Sequence, residues 1–377
     1  MEQRKIQRVG KGTLTISLPY WWVREHGLKR GDTIIIEESH DGSLRLWPVK
    51  SDVEHTLEVC RINADLLNQP GLLNRLIIGS YIAGADVIEV ASETRLSYRH
   101  IKEIREAVKV LIGVSIMDET EQHVVLQCVV DVLKSSIYSI LERICNLVSS
   151  MLEEYFRAFI EGNRELAKMV MLRDEEVNKL YYLFFRALSI AHRKRNFAED
   201  LGIAQPLEIS FLTIIGYCLE RMADLSKLGA KSVLKILTCE AEVDRDTLQK
   251  LTEYYERCRD ICEKAIRAVF SKDIRLANEV IRRYLEDIEF GENQIIDRLR
   301  YRSVKCDINV LCPNFMQFIW SMKRQAELSA ELAEIIIDMN TRLNSSIVNV
   351  GSVSLNKLGK LTVAQQYTND HQEKFIG

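Results

Sequence analysis

Apolar and polar positions alternate near the start of the chain, Leu14, Ile16 and Leu18 against Thr13, Thr15 and Ser17. The period of two predicts a strand that stops at Pro19, whose fixed φ suits the first turn of a short helix from Tyr20 to His26, closed by Gly27. The β-branched run Thr33-Ile34-Ile35-Ile36, the turn pair Asp41-Gly42 and alternating Leu44 and Leu46 then predict a hairpin. A strand, helix, strand, strand unit over residues 1–50 is too small to cover its own apolar face, so a second copy is expected to cover it. From 51 to 131 the pattern is mixed. Strands are expected near 56–62, 87–91, 114–117 and 124–129, and helices near 72–83 and 101–111, which makes a small α+β module. Glu119, Glu121 and His123 fall near its last turn, where polar residues are expected to be solvated.

Beyond Val132 the period becomes 3.6. Leu133, Ile137, Ile140, Leu141, Ile144, Leu147, Val148, Met151 and Leu152 advance by threes and fours, the stripe of a helix packed in a bundle. Gly162-Asn163 ends that helix, and others are expected over 164–193, 206–237, 242–270, 274–302 and 314–343. Gly162-Asn163-Arg164-Glu165-Leu166-Ala167 has a counterpart in Lys272-Asp273-Ile274-Arg275-Leu276-Ala277, and Pro206 and Pro313 each precede a third helix. Six helices thus read as two three-helix bundles, 132–240 and 241–344, and a polar tail over 345–377 is expected to be disordered.

Composition narrows the class. With 377 residues, 47% apolar, 28% charged, 17 Gly and 5 Pro, the chain is neither a disordered polymer nor a small disulfide scaffold. Nine Cys without a Cys-x-x-Cys pair read as reduced thiols, and Cys258 and Cys262, four apart on one helical face, read as buried thiols in preference to half a metal site. A charged start and the lack of an apolar run of about 20 residues predict a cytoplasmic protein.

The net charge of −3 conceals a division: residues 1–50 hold 9 basic and 6 acidic side chains, a surplus of +3, which leaves −6 for the rest. Clustered Arg and Lys on β-ribbon edges are the footprint of phosphate-backbone contact, although an ordinary mixed surface reads the same way. Trp21 and Trp22 could stack on bases, but their place beside a small sheet favours core or dimer-interface packing. Glu220 and Asp224 lie four apart on the third helix, so their carboxylates share a face and need a cation nearby. Asp174, Glu175, Glu176 and Asn178 on the second helix could complete an oxygen-ligand set, or the whole could be a solvated face screened by Arg221 and Lys227. No phosphate-binding loop, nucleophile elbow or His-Glu-x-x-His motif occurs in the sequence.

Two resemblances follow from these residues. Arg4-Lys5-Ile6-Gln7-Arg8-Val9-Gly10-Lys11-Gly12, with Leu18-Pro19 and Gly27-Leu28-Lys29-Arg30-Gly31-Asp32, resembles the AbrB or SpoVT-type domain. That implies an intertwined dimer of swapped hairpins and DNA contacts from Arg4, Lys5, Lys11 and Arg24, with Arg8 nearby. Residues 132–343 resemble PhoU, the phosphate uptake regulator, through Glu220-Arg221-Met222-Ala223-Asp224 and Asp174-Glu175-Glu176-Val177-Asn178-Lys179-Leu180. The resemblance implies two three-helix bundles and a divalent or ferric ion (Fe, Zn or Mg) at Asp174, Asn178, Glu220 and Asp224. In the second bundle Lys323, followed by Glu327, stands where Glu220 stands in the first, so only the first is a metal candidate.

The order of the two domains is similar to that of archaeal phosphate regulators. It implies a multidomain fold and a cytoplasmic, dimeric, non-catalytic regulator of phosphate uptake. Such a protein would bind DNA through its N-terminal domain and a transporter ATPase or a sensor protein through its helices. The alternative is a dimeric adaptor of a phosphate transporter that never touches DNA.

Overall fold

The structure, a computed structural model, describes residues 3–10, 12–38, 43–49, 57–129, 136–288, 301–302 and 308–343. Lys11 and the tail after 343, with the expectations attached to them, lie outside the described residues. The chain divides after Leu57 into two units, a boundary a few residues beyond the expected one.

In the first unit, β1 (Gln7–Val9) pairs antiparallel with β2 (Thr13–Thr15), α1 spans Tyr20–Glu25, and β3 (Ile34–Glu38) pairs with β4 (Leu44–Pro48). The alternation through Leu18 gives a strand only as far as Thr15. None of the described residues of this unit is buried. Ile6, Val9, Leu14, Ile16, Tyr20, Trp21, Ile36 and Leu44 are 55–77% exposed, a density of bare apolar surface that soluble chains rarely leave uncovered.

The second unit opens with the α+β module: β5 (Val59–Asn63), α2 (Leu72–Ile82), β6 (Val87–Ala91), α3 (Tyr98–Val110), β7 (Val114–Glu119) and β8 (His123–Cys128). The sheet runs β5-β6-β8-β7, with β5 and β6 parallel across α2 and the other pairs antiparallel. Leu73, Ile77 and Tyr81 of α2 and Ile104 and Ala107 of α3 bury themselves on Ile88, Val90 and Leu126 of the sheet. Ser97 caps α3, and the buried Glu103 carboxylate accepts from the Gly71 and Asn74 amides, where the positive end of α2 favours an anion. As expected, Glu119, Glu121 and His123 sit at the surface, paired with Arg105, Arg95 and Asp118.

The helices are α4 (Ile137–Ile160), α5 (Arg164–Arg193), α6 (Arg195–Asp200), α7 (Pro206–Thr238), α8 (Arg245–Ser271), α9 (Ile274–Arg283) and α10 (Ile308–Leu343). Asn163, Asp244 and Asp273 cap α5, α8 and α9 through their side chains, so the two repeated segments start helices in the same way.

Four expectations need correction. Glu242–Val243 is a strand paired with Tyr301–Arg302, so the helix expected from 242 starts at its Asp244 cap and the one expected through 302 does not reach that residue. It ends at Arg283 and passes into a π-helical turn, Tyr284–Ile288. Pro313 lies inside α10 and not ahead of it, near an end where one missing N–H costs little. Cys239 is disulfide-bonded, against the reading of reduced thiols, whereas Cys258 and Cys262 are buried free thiols as expected.

The two sets of helices share one core that runs from Ile137 to Met339. A buried polar network fixes the seam. The Gln325 amide donates to the Met222 carbonyl (2.9 Å) and the Ser226 hydroxyl (2.7 Å), and its oxygen accepts from the Tyr155 hydroxyl (2.9 Å). Ser232 donates to Gln317 as well, so α7 and α10 run antiparallel. Gly229 is required at this seam, because a Cβ there would stand 2.9 Å from the Tyr155 ring. Among the described residues, no helix is long and apolar enough to cross a membrane.

Gln325→Leu strands the buried Tyr155 hydroxyl and removes the two amide bonds to α7, while the Met222 carbonyl keeps the Ser226 hydroxyl, so urea unfolding followed by circular dichroism should show a loss of about 1–3 kcal/mol. A loss below about 0.5 kcal/mol would mean that the seam does not depend on this network.

Candidate functional site

Helices α5 and α7 face each other along a groove that gathers the acids picked out from the sequence. Asp174, with a side chain 2% exposed, accepts from the Lys227 ammonium at 2.5 Å and from the Asn178 amide at 3.2 Å. Asp224 pairs with Arg221 at 2.8 Å, one turn away on α7. Glu220 is half-buried, not exposed as its helical spacing suggested. Burial and then the Asp224 charge push its carboxyl up to about 7, with Asp174 adding to the rise and Arg221 and Lys227 opposing it.

Two aromatic residues that the sequence pattern did not single out, Tyr181 and Tyr182, line the same groove. Burial, with the Glu220 charge, pushes the Tyr181 phenol up to about 12. The Tyr182 phenol is raised by burial and then by Glu220, Asp174 and Asp224. Tyr182 also packs against the core of the α+β module. The cation that the acids require is already present as Lys227: burial opposes its charge, but the bond from Asp174 outweighs this and holds its ammonium above the ordinary lysine value. The carboxylate donors suit a hard cation. Yet among the described residues no group of three or more His, Cys, Asp or Glu is arranged to hold one, and the ammonium stands on Asp174 instead. In the second set, Arg324 pairs with Glu327 (2.8 Å) and Glu331 (3.1 Å), so the position beside Lys323 is also served by an internal cation.

On the first unit, Arg4, Lys5, Arg8 and Arg24 are exposed. Arg8 lies opposite Leu14 in the ladder, so one basic residue and one bare apolar residue share a rung of the small sheet. Trp21, 61% exposed, is no part of a core within one chain, and Trp22 rests edge-on against the His26 ring at 4.9 Å.

Residues 141–233, from α4 through most of α7, match the PhoU domain, and residues 7–54 match the domain described as antidote-toxin recognition MazE, bacterial antitoxin. The chain therefore carries a PhoU domain behind a MazE/AbrB-type domain, as the two resemblances anticipated. Among solved structures it is similar to the phosphate transport system regulatory protein PhoU from Streptococcus pneumoniae. The identity is 15% and the TM-score 0.42, over 54% of this chain and 95% of that one. Comparison with curated proteins finds no match.

A carboxyl raised in the folded state binds a proton that the unfolded chain gives up, so Glu220 contributes stability below its ordinary carboxylate value that is lost as pH rises towards 7. Glu220→Gln should abolish this slope between about pH 5 and pH 7. It should also stabilise the protein above pH 7 by about 1–2 kcal/mol, after discounting for solvent screening. Urea titrations across that range check it; parallel slopes in the two proteins would contradict it.

Proposed function

We infer that the chain is a non-catalytic regulator of phosphate uptake, dimeric through its first unit, which binds DNA there and a partner protein through its helices. The reading rests on one conjunction. A PhoU domain, a name tied to phosphate transport regulation, follows a MazE-type unit whose apolar residues are bare and whose Arg4, Lys5, Arg8 and Arg24 are exposed. A second copy covers the apolar face, and closing that interface doubles the local surplus of +3 on one body, the field a phosphate backbone attracts. Lys11, outside the described residues, belongs to the same proposed contact set. The helical part acts by docking, with the ATPase of a phosphate transporter or a sensor protein as the class of partner.

In this reading the groove is charge-sensitive and not catalytic. A metal ion (Fe, Zn or Mg) at Asp174, Asn178, Glu220 and Asp224 would have to displace Lys227, so the lysine is the internal competitor of any such ion. Lys227→Met should then raise the divalent metal that co-purifies with the protein, read by mass spectrometry. Equal metal content in the variant and the native protein would rule the metal out of the groove.

Mobility-shift titrations on long duplex DNA separate the regulator from the DNA-free adaptor. The regulator binds at about 50 mM salt and loses affinity steeply as salt rises. Arg4→Gln with Arg8→Gln should flatten that dependence by roughly 0.9 in log–log slope for each phosphate no longer neutralised. No shift at about 50 mM salt would leave the adaptor reading in its place.

A further inference from the structure

Neither domain match reaches the α+β module, yet in the chain it is the piece through which the first unit joins the helices. The second unit starts at Glu58, immediately before β5, and α5 pins that start. Arg193 of α5 pairs with the Glu58 carboxylate and donates to the Ala83 carbonyl at 2.8 Å. The Glu58 amide donates to Asp86 Oδ2 (3.0 Å), and the other Asp86 oxygen faces Arg186 of α5 at 3.5 Å.

Arg186 is 2% exposed and donates from one nitrogen to both the Tyr81 and Ala85 carbonyls, each at 2.8 Å, with its guanidinium 4.9 Å from the Tyr81 ring. These carbonyls close the C-terminal end of α2, where orphan acceptors and the negative end of the helix favour a cation. Here the cations come from another part of the unit. Gly84, at φ +95°, makes the approach possible, since a Cβ there would collide with Arg193 Nη2 and lie 2.9 Å from Ile190 Cγ1.

The same helix reaches the acidic groove. Asp174 ties α5 to α7 through Lys227, and Tyr182, between groove and joint, packs on the core of the module. Asp174 and Arg193 are nineteen residues apart, or about 28 Å along the helix.

We propose that α5 is a relay: the Arg186–Arg193 joint couples the α5–α7 groove to an anchor at Glu58, the start of the second unit, so that loosening the groove loosens the anchor. The coupling is a linkage between two sites on one rigid element, and it is reciprocal. The relay gives the module a role, to carry the state of the PhoU-domain helices to the unit proposed to bind DNA. It rests on that proposal only for its biological use, and its test involves neither DNA nor metal, so the two fail separately.

The test is hydrogen exchange by mass spectrometry on the full chain, in the presence of a chelator. Asp174→Asn removes the charge that holds Lys227. It should speed exchange of the segments over 58–63 and 81–87 about threefold or more, as subglobal opening of the anchor does. With the Arg193 arm of the joint cut by Glu58→Gln and Arg193→Met, both partly exposed, segment 58–63 should already exchange faster and Asp174→Asn should add clearly less there, the remainder passing through Arg186 and Asp86. The relay is overturned if the anchor ignores Asp174→Asn while the joint is intact, or responds equally with that arm cut. If Asp174→Asn does not fold, Lys227→Met, at a partly exposed side chain, loosens the same pair and carries the same two outcomes.

Discussion

Apolar surface must leave water, and the two units of this chain meet that requirement in different ways. From Glu58 onward the requirement is met within one chain. The module closes over its own sheet, and the two helical sets close over each other along α7 and α10, where Gly229 admits the Tyr155 ring and Gln325 ties three helices together. Before Leu57 it is not met. The small strands and the single short helix leave every described side chain at least partly in water, including Trp21, Ile36 and Leu44. A unit built this way is finished by something outside itself, and the proposed dimer supplies it with its own second copy.

Within the larger unit, α5 organises the charges. Near one end its Asp174 is neutralised from α7, and near the other its Arg186 and Arg193 neutralise the end of α2 and the acids at the module's start. Buried charge in such positions is costly to leave unpaired. Asp174 and Arg186, the two buried members, therefore each depend on the facing element that supplies the partner.

The parts of the fold most legible in the sequence were those with a local cause. Asn163 and Asp273 cap helices where the repeat had placed breaks, and β6 and α2 lie within a residue of their expected bounds, because capping and periodicity act over a few residues. Tertiary partners decided the rest. The pairing of Glu242–Val243 with Tyr301–Arg302 cannot be read from either segment alone, and helical spacing gives no sign that two bundles would fuse into one core. The acids of the groove were found by spacing, but the engagement of Lys227 with Asp174, the enclosure by Tyr181 and Tyr182 and the inward turn of Arg186 each depend on a facing helix or sheet.

Sedimentation equilibrium of the full chain decides whether a second copy completes the first unit. A particle of twice the 43.5 kDa chain mass, persisting into the low micromolar range, is the predicted result. A monomer of 43.5 kDa that stays soluble across the same range would contradict it, since the bare face of the first unit would then need no partner.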